Sequence, residues 1–327
     1  MGFVPMAIRK IAVLTSGGDA PGMNAAIRAV VRTALSKGVE CLGVYRGYNG
    51  LINGDLVEMN LRSVSDIIHR GGTMLYTARS PEFCTEAGMQ KAVETCRENN
   101  IDGVVVIGGD GSFRGAQDLT RHGVPCIGLP GTIDNDMSCC EHTIGYDTAL
   151  NTSMEMIDKL RDTAQSHDRC SVVEVMGRRA GYLALNVGIA VGATSIVVPE
   201  VPFDFEKDII DRMRVTSATG KKHFIIIVAE GVGHVMTMAE DIEKRLGIET
   251  RATILGHVQR GGNPTVYDRV LASQMGYYAV DILLEGKSNR VVTIQNDHVL
   301  DFDIEEALQM KKPFDFDLYR MAHEISI

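Results

Sequence analysis

Seven consecutive residues, Pro130-Gly131-Thr132-Ile133-Asp134-Asn135-Asp136, place a hydroxyl, two carboxylates and an amide on one short loop. The run before them, Pro125-Cys126-Ile127-Gly128-Leu129, is apolar, the pattern of a strand covered on both faces. A strand that ends in a Gly/Pro turn delivers such side chains at the carboxyl edge of an α/β sheet, where these folds bind ligands. Asp134 and Asp136 are two apart, so an extended backbone would point both the same way. One of them then suits proton abstraction from a hydroxyl, and the other suits a cation or its waters. An Asn/Asp turn that caps a helix fits the same residues, and the loop by itself leaves both readings open.

Two glycine-rich loops add to it. Gly17-Gly18-Asp19-Ala20-Pro21-Gly22 follows the apolar Ile11-Ala12-Val13-Leu14 and precedes a helix-period segment, 23–36, that carries Arg28 and Arg32. Bare amides at a helix start suit a phosphate. The loop lacks the Lys-Ser/Thr pair of a Walker A motif and departs from GxGxxG at Asp19, so a tight structural turn also fits. Gly108-Gly109-Asp110-Gly111-Ser112 ends the apolar run 103–107 and opens a second helical segment. Its small residues admit a ligand to the backbone, and its carboxylate suits Mg²⁺ bridging phosphate oxygens; an Asp-Gly hairpin fits this context poorly.

Basic residues recur at other strand ends: Arg79, Arg169, Arg178, Arg179, Arg251, His257 and Arg260. Each alone reads as a solvated charge, and His257 also as a core histidine. Together, beside glycines, they read as forked donors for a bound oxyanion. Glu230 ends a strongly apolar strand, where an acid is costly to bury and suits a hydroxyl-rich ligand.

The elements that must hold these loops repeat as strand, glycine turn and helix, which implies parallel sheets. Strands are expected at 39–45, 171–175, 195–198 and 224–229, a helix at 149–163 and another at 267–284. A chain of 327 residues has room for about two domains. Its 45% hydrophobic and 23% charged residues are ordinary for a soluble enzyme. The net charge of -9 argues against nucleic acid, which normally needs a basic stripe. No run reaches a membrane span, and Met1 to Met6 lacks a secretory pattern and has Met where a myristoylation signal wants Ser or Thr. Seven cysteines without a CxxC pair fit reduced thiols in the cytoplasm.

In these stretches, together with Glu174 to Arg178 and Leu255 to Gly262, the sequence resembles the bacterial-type ATP-dependent 6-phosphofructokinases, from about Arg9 to about Pro313. GGDG alone also occurs in other kinases; PGTIDND with GHVQRGG does not. The resemblance implies two Rossmann-like αβα domains with mostly parallel sheets and an active site in the interdomain cleft. It implies an ATP-binding domain of 1–144 plus 258–308 and a fructose 6-phosphate domain of 145–257 plus 309–327. The implied reaction makes fructose 1,6-bisphosphate and ADP, a committed step of glycolysis.

By the same resemblance, Gly18, Arg79, Ser80, Gly109, Asp110, Gly111 and Ser112 would hold ATP, with Asp110 at Mg²⁺. Asp134 would be the general base, helped by Thr132 and Asp136, with Arg79 and Arg178 on the transferring group. Thr132, Ile133, Asp134, Met176, Gly177, Arg178 and Glu230 would line the sugar, and Arg169, Arg251, His257 and Arg260 its 6-phosphate. Arg169 and Arg251 would reach in from a neighbour, so a homotetramer is implied. Gly111 and Gly131 stand where pyrophosphate-dependent members carry Asp and Lys, which favours ATP. Arg28, Arg32, Arg161 and Lys221 match the site for a nucleoside diphosphate or phosphoenolpyruvate effector. Leu61, Thr194 and Thr219 depart from it, and a blunted response is expected.

Overall fold

The computed structural model describes residues 8–326. The amino-terminal residues weighed above as a leader or acylation signal lie outside them. In chain order the first elements are β1 (Lys10–Thr15), α1 (Met23–Ser36), β2 (Glu40–Val44), α2 (Tyr48–Asn53) and β3 (Leu56–Met59). Next come α3 (Glu86–Glu98), β4 (Gly103–Gly108), α4 (Asp110–Arg121), β5 (Cys126–Pro130), α5 (Tyr146–Ser166), β6 (Cys170–Val175), α6 (Tyr182–Ala190) and β7 (Ser195–Val197). The remainder are α7 (Arg212–Ala218), β8 (Phe224–Ala229), α8 (Val235–Leu246), β9 (Thr250–Ile254), α9 (Val266–Leu284), β10 (Arg290–Gln295), β11 (His298–Asp303), α10 (Ile304–Gln309) and α11 (Phe316–Glu324).

These elements divide into two units. The first takes the described residues up to Ile133, then Met137–Thr148 and Arg260–Lys312. The second takes Asp134–Asp136, Ala149–Gln259 and the described residues from Pro313 on.

The first unit holds a sheet of order β11-β10-β5-β4-β1-β2-β3. Its inner strands run parallel, while β3 and β11 pair antiparallel at the two edges. β4 is buried along its whole length, which its Val-Val-Val-Ile run requires of a strand covered on both faces. Helices α1 and α9 cross closely enough that a Cβ at Gly276 would lie 2.7 Å from that of Ala29. The antiparallel pair β10–β11 turns through Asn296 and Asp297, both at positive φ, as a two-residue hairpin demands.

The second unit holds a parallel sheet of order β7-β8-β6-β9. Its core joins Val172, Phe224, Ile226 and Val228 from the sheet to Ile209, Met213, Met238 and Ile242 from flanking segments. Arg212 fastens α11 by donating to His323 O and Ser326 Oγ, while its Nε donates to Thr194 O at 2.8 Å.

Candidate active site

In the first sheet the strand order reverses between β1 and β4: β2 and β3 extend one side, β5 and β10 the other. Such a switch point leaves a crevice at the carboxyl ends of the two strands. The loop 17–22 leaves β1 there and 109–112 leaves β4. They are joined: Ser16 N donates to Ile107 O at 2.9 Å, and Ser112 Oγ to Ser16 O at 3.1 Å. A Cβ at Gly108 would sit 2.5 Å from Ser16 O, so the approach requires glycine. Tyr48 OH donates to Ser112 O at 2.5 Å, and Thr77 Oγ1 to Gly17 O at 2.7 Å, which ties the segment carrying the exposed Arg79 and half-buried Ser80 to the same loops. Asp110 is exposed at the first turn of α4, the end of a helix that suits an anion.

Arg260 belongs to this unit. Its Nη1 donates to Asp19 O at 3.2 Å and lies 2.6 Å from where a Gly18 Cβ would stand. Gly18 is thus a place where a guanidinium covers bare backbone.

The loop 130–136 leaves β5. Gly131 N donates to Gly108 O at 3.0 Å, Thr132 N to Ile144 O at 3.1 Å, and Ile144 N to Pro130 O at 2.8 Å. Thr143 Oγ1 donates to Thr132 O at 2.6 Å, so Thr132 is fixed through its backbone. Behind it, the wholly buried Asp268 accepts from Gly145 N and Thr148 N, each at 2.8 Å, and from Thr148 Oγ1 at 2.5 Å. Burial pushes the Asp268 carboxyl up to about 6, with those hydrogen bonds opposing. Past Ile133 the expectation of an extended loop fails: Asn135 has φ 50. This left-handed residue interrupts the extended path, so strand alternation does not set the two acids. Asp134 is fully buried, and Asp136 is half-buried.

In the second unit Asp134 meets the end of β6. Arg178 Nε lies 3.1 Å from Asp134 Oδ2. The turn that puts it there is unusual, with Gly177 at φ 136 and Arg178 at φ 54. It is held by Arg178 N donating to Glu230 Oε2 at 3.0 Å, Ala180 N to Gly177 O at 2.9 Å, and Glu230 N to Val175 O at 2.9 Å. Burial and the neighbouring Glu230 charge raise the pKa of Glu174 on β6. Met176, Gly177, Arg178 and Glu230 thus gather at the carboxyl ends of β6 and β8. The exposed His257 follows β9.

Arg169 and Arg251 lie elsewhere. Both pair with Glu249, Arg169 Nε at 2.8 Å and Arg251 Nη2 at 2.5 Å. They flank the amino end of β6, where Cys170 opposes Thr250 and Ser171 opposes Arg251. The six-residue length of β6, about 17 Å at about 3.3 Å per residue, separates that edge from Arg178. Arg28 and Arg32 sit on α1 in the first unit, and burial, then Arg32, lowers the pKa of Arg28. In the second unit Arg161 donates to Val191 O, and Lys221 Nζ lies 3.4 Å from Thr194 Oγ1. Sequence reasoning missed Asp268 and Gln259, the buried polar residues behind these loops.

A family profile described as phosphofructokinase matches residues 10–283. The chain belongs to the phosphofructokinase family. It is 59% identical over 320 residues to an ATP-dependent 6-phosphofructokinase of Brevibacillus brevis, covering 98% of this chain and 100% of that one. A Clostridium botulinum enzyme of the same name is 56% identical over 319 residues, with the same coverage. Among solved structures, the Saccharomyces cerevisiae phosphofructokinase superposes with TM-score 0.87 at 37% identity, covering 98% of this chain and 48% of that one. This chain thus spans about half the yeast chain but the full length of its bacterial relatives. A pyrophosphate-dependent phosphofructokinase of Marinobacter aquaeolei, at 22% identity and TM-score 0.84, shares the fold. The mostly parallel α/β sheets described above are this phosphofructokinase fold. Among the described residues no helix is long and apolar enough to cross a membrane.

Proposed function

We infer that this phosphofructokinase transfers the γ-phosphoryl group of ATP to the 1-hydroxyl of fructose 6-phosphate, giving fructose 1,6-bisphosphate and ADP in glycolysis. The observation that carries the reading is the full-length identity of 59% to an ATP-dependent enzyme. The first unit is then the ATP-binding part and the second the sugar-phosphate part. ATP lies on Gly18, Arg79, Ser80 and Gly109 to Ser112, where two glycine loops and the start of α4 present amides to phosphates.

Phosphoryl transfer asks the protein for position and charge more than for covalent chemistry. Asp134 takes the proton of the 1-hydroxyl as its oxygen attacks phosphorus. Thr132, fixed at both its N–H and its C=O, and Asp136 support that oxygen and the base. Arg178 and Arg79 meet the charge that develops on the transferred group. Ile133, Met176, Gly177 and Glu230 line the sugar. An exposed carboxylate, Asp110, at the start of a helix fits Mg²⁺, which takes one or two carboxylates and completes its shell with phosphates and water. The cation would neutralise charge on the β- and γ-phosphates.

His257 and Arg260, with a neighbouring subunit's Arg169 and Arg251, hold the 6-phosphate in this reading. The opposite-edge position of Arg169 and Arg251 supports that division and with it a homotetramer. A cytoplasmic location accords with a glycolytic role. Arg28, Arg32, Arg161 and Lys221 form the effector site for a nucleoside diphosphate or phosphoenolpyruvate.

The test is a grid of donors and acceptors with purified protein, run beside Asp134→Ser. ATP with fructose 6-phosphate is expected to dominate, and the variant to lose turnover by orders of magnitude with substrate binding little changed. Preference for pyrophosphate or another acceptor, or undiminished turnover in the variant, refutes the reading.

A further inference from the structure

Gln259 stands between the functional residues His257 and Arg260, yet it is wholly buried. In the second sheet the strand order reverses between β6 and β9, since β8 and β7 extend the other side. Met176 follows β6 and Gly256 follows β9, so the two segments flank this second switch point. The Gln259 amide joins them. Its Oε1 accepts from Met176 N at 3.1 Å and from Ser153 Oγ at 3.1 Å, and its Nε2 donates to Gly256 O at 3.0 Å. The orientation is unique, because an N–H must meet the oxygen end and a carbonyl the nitrogen end.

We propose that Gln259 is a positioning residue for the sugar phosphate: its amide fixes the start of the strained 176–178 turn and the 256–257 turn as one body. The positive φ of Arg178 is costly for a residue with a side chain and persists only if its surroundings over-determine it. Glu230 holds the turn from one side, and Gln259 holds it from the other. Carboxylate is the wrong replacement, since one of its oxygens would face Gly256 O; once protonated, it regains a donor there. Methionine keeps the length and supplies neither bond. Ser153 is the lesser contact, because its hydroxyl also donates to Ala149 O at 2.7 Å.

This proposal rests on fructose 6-phosphate being the acceptor, which the wild-type grid decides separately. Steady-state rates of Gln259→Met, Gln259→Glu and Ser153→Ala are measured with ATP and fructose 6-phosphate varied in turn, and binding of a fluorescent ATP analogue confirms folded protein. Gln259→Met is expected to raise KM for fructose 6-phosphate by about tenfold or more, with KM for ATP within about twofold. Relative to wild type at each pH, Gln259→Glu is expected to recover affinity for the sugar phosphate as pH falls, and Ser153→Ala to stay near wild type. Equal rises in both KM values, an unchanged KM for the sugar phosphate, or a Gln259→Glu variant without that pH dependence overturns the proposal. If Gln259→Met does not fold, the Gln259→Glu profile decides it.

Discussion

Arg178 Nε stands 3.1 Å from Asp134 Oδ2, an ion pair between a carboxylate with no exposed side chain and a guanidinium that is 58% exposed. The pair sets the proposed base beside the proposed charge stabiliser, and the exposed remainder of the fork is available to a phosphoryl oxygen. Removing one preorganised donor of this kind ordinarily lowers kcat by about 100- to 1000-fold, which is the loss expected for Arg178→Leu. Arg178→Lys keeps the charge but not the planar fork, and is expected between the two. Initial rates at saturating substrates check this; a leucine variant within about threefold of wild type removes Arg178 from the mechanism.

Gly111 and Gly131 separate donor choice from stability. Among the described residues a Cβ at Gly111 meets nothing within 4 Å. At Gly131 it meets Ile107 Cγ2 at 3.0 Å and Met23 Cε at 3.1 Å. Gly111→Asp is therefore expected to fold normally and to raise KM for ATP by placing a second acid beside Asp110. Gly131→Lys is expected to cost about 1–3 kcal/mol of stability as well, because the core must shift. Denaturant melts alongside ATP kinetics check both, and an ATP affinity unchanged in Gly111→Asp contradicts the donor assignment.

What the sequence revealed follows from how local each signal is. β1, β4, β5, β6 and β8 were legible because short apolar runs that lead into glycine leave few alternatives, and the loops after β1, β4 and β5 could be placed from the strands before them. The hairpin β10–β11 was not read, although Asn296-Asp297 between alternating residues signals it. Asp134 and Asp136 were expected side by side, and one left-handed residue between them defeats strand alternation. Gln259 and Asp268 were invisible for a different reason. A buried polar residue is defined by partners 83 and 120 positions away, so no window of sequence marks it.

Asp268 gives a prediction whose sign is set by burial. Asp268→Ala leaves two backbone N–H groups and a hydroxyl without their acceptor and is expected to cost about 3 kcal/mol or more. Its carboxyl, pushed up from 3.8 to about 6, is harder to ionise in the folded state than in the unfolded chain. Its contribution to stability is therefore fully present below about pH 4 and falls as pH rises to about 6. Asp268→Asn lacks this dependence, so the stability gap between wild type and this variant is expected to narrow over that window. Urea unfolding at stepped pH measures it; a widening gap means that the three donors outweigh burial.

The proposed effector residues are expected to respond weakly to nucleoside diphosphate. Thr194 is 1% exposed and offers Lys221 a hydroxyl, and the Thr219 hydroxyl is engaged with Thr216 O at 2.7 Å. Neither supplies a carboxylate for an effector's magnesium. Burial, then the charge of Arg161, lowers the pKa of Lys221, so two cations stand close together here. Added ADP is expected to change the rate at low fructose 6-phosphate by less than about fivefold, the lower end of ordinary coupling. Strong, saturable activation contradicts this.

The separation of Arg251 from Arg178 along β6 yields a test of subunit sharing. If Arg251 serves a neighbour's sugar phosphate, a site needs Asp134 from one chain and Arg251 from another. Asp134→Ser and Arg251→Leu then each inactivate a homo-oligomer by different routes. A hybrid of the two contains some sites with an intact Asp134 from the Arg251→Leu chain and an intact Arg251 from the Asp134→Ser chain. Co-expressed chains carrying two different tags, purified through both, are therefore expected to show clear activity with fructose 6-phosphate, well above either parent. A hybrid no more active than the parents places Arg251 outside the neighbour's site. Arg251→Leu with a near wild-type KM for fructose 6-phosphate removes it from the 6-phosphate set altogether.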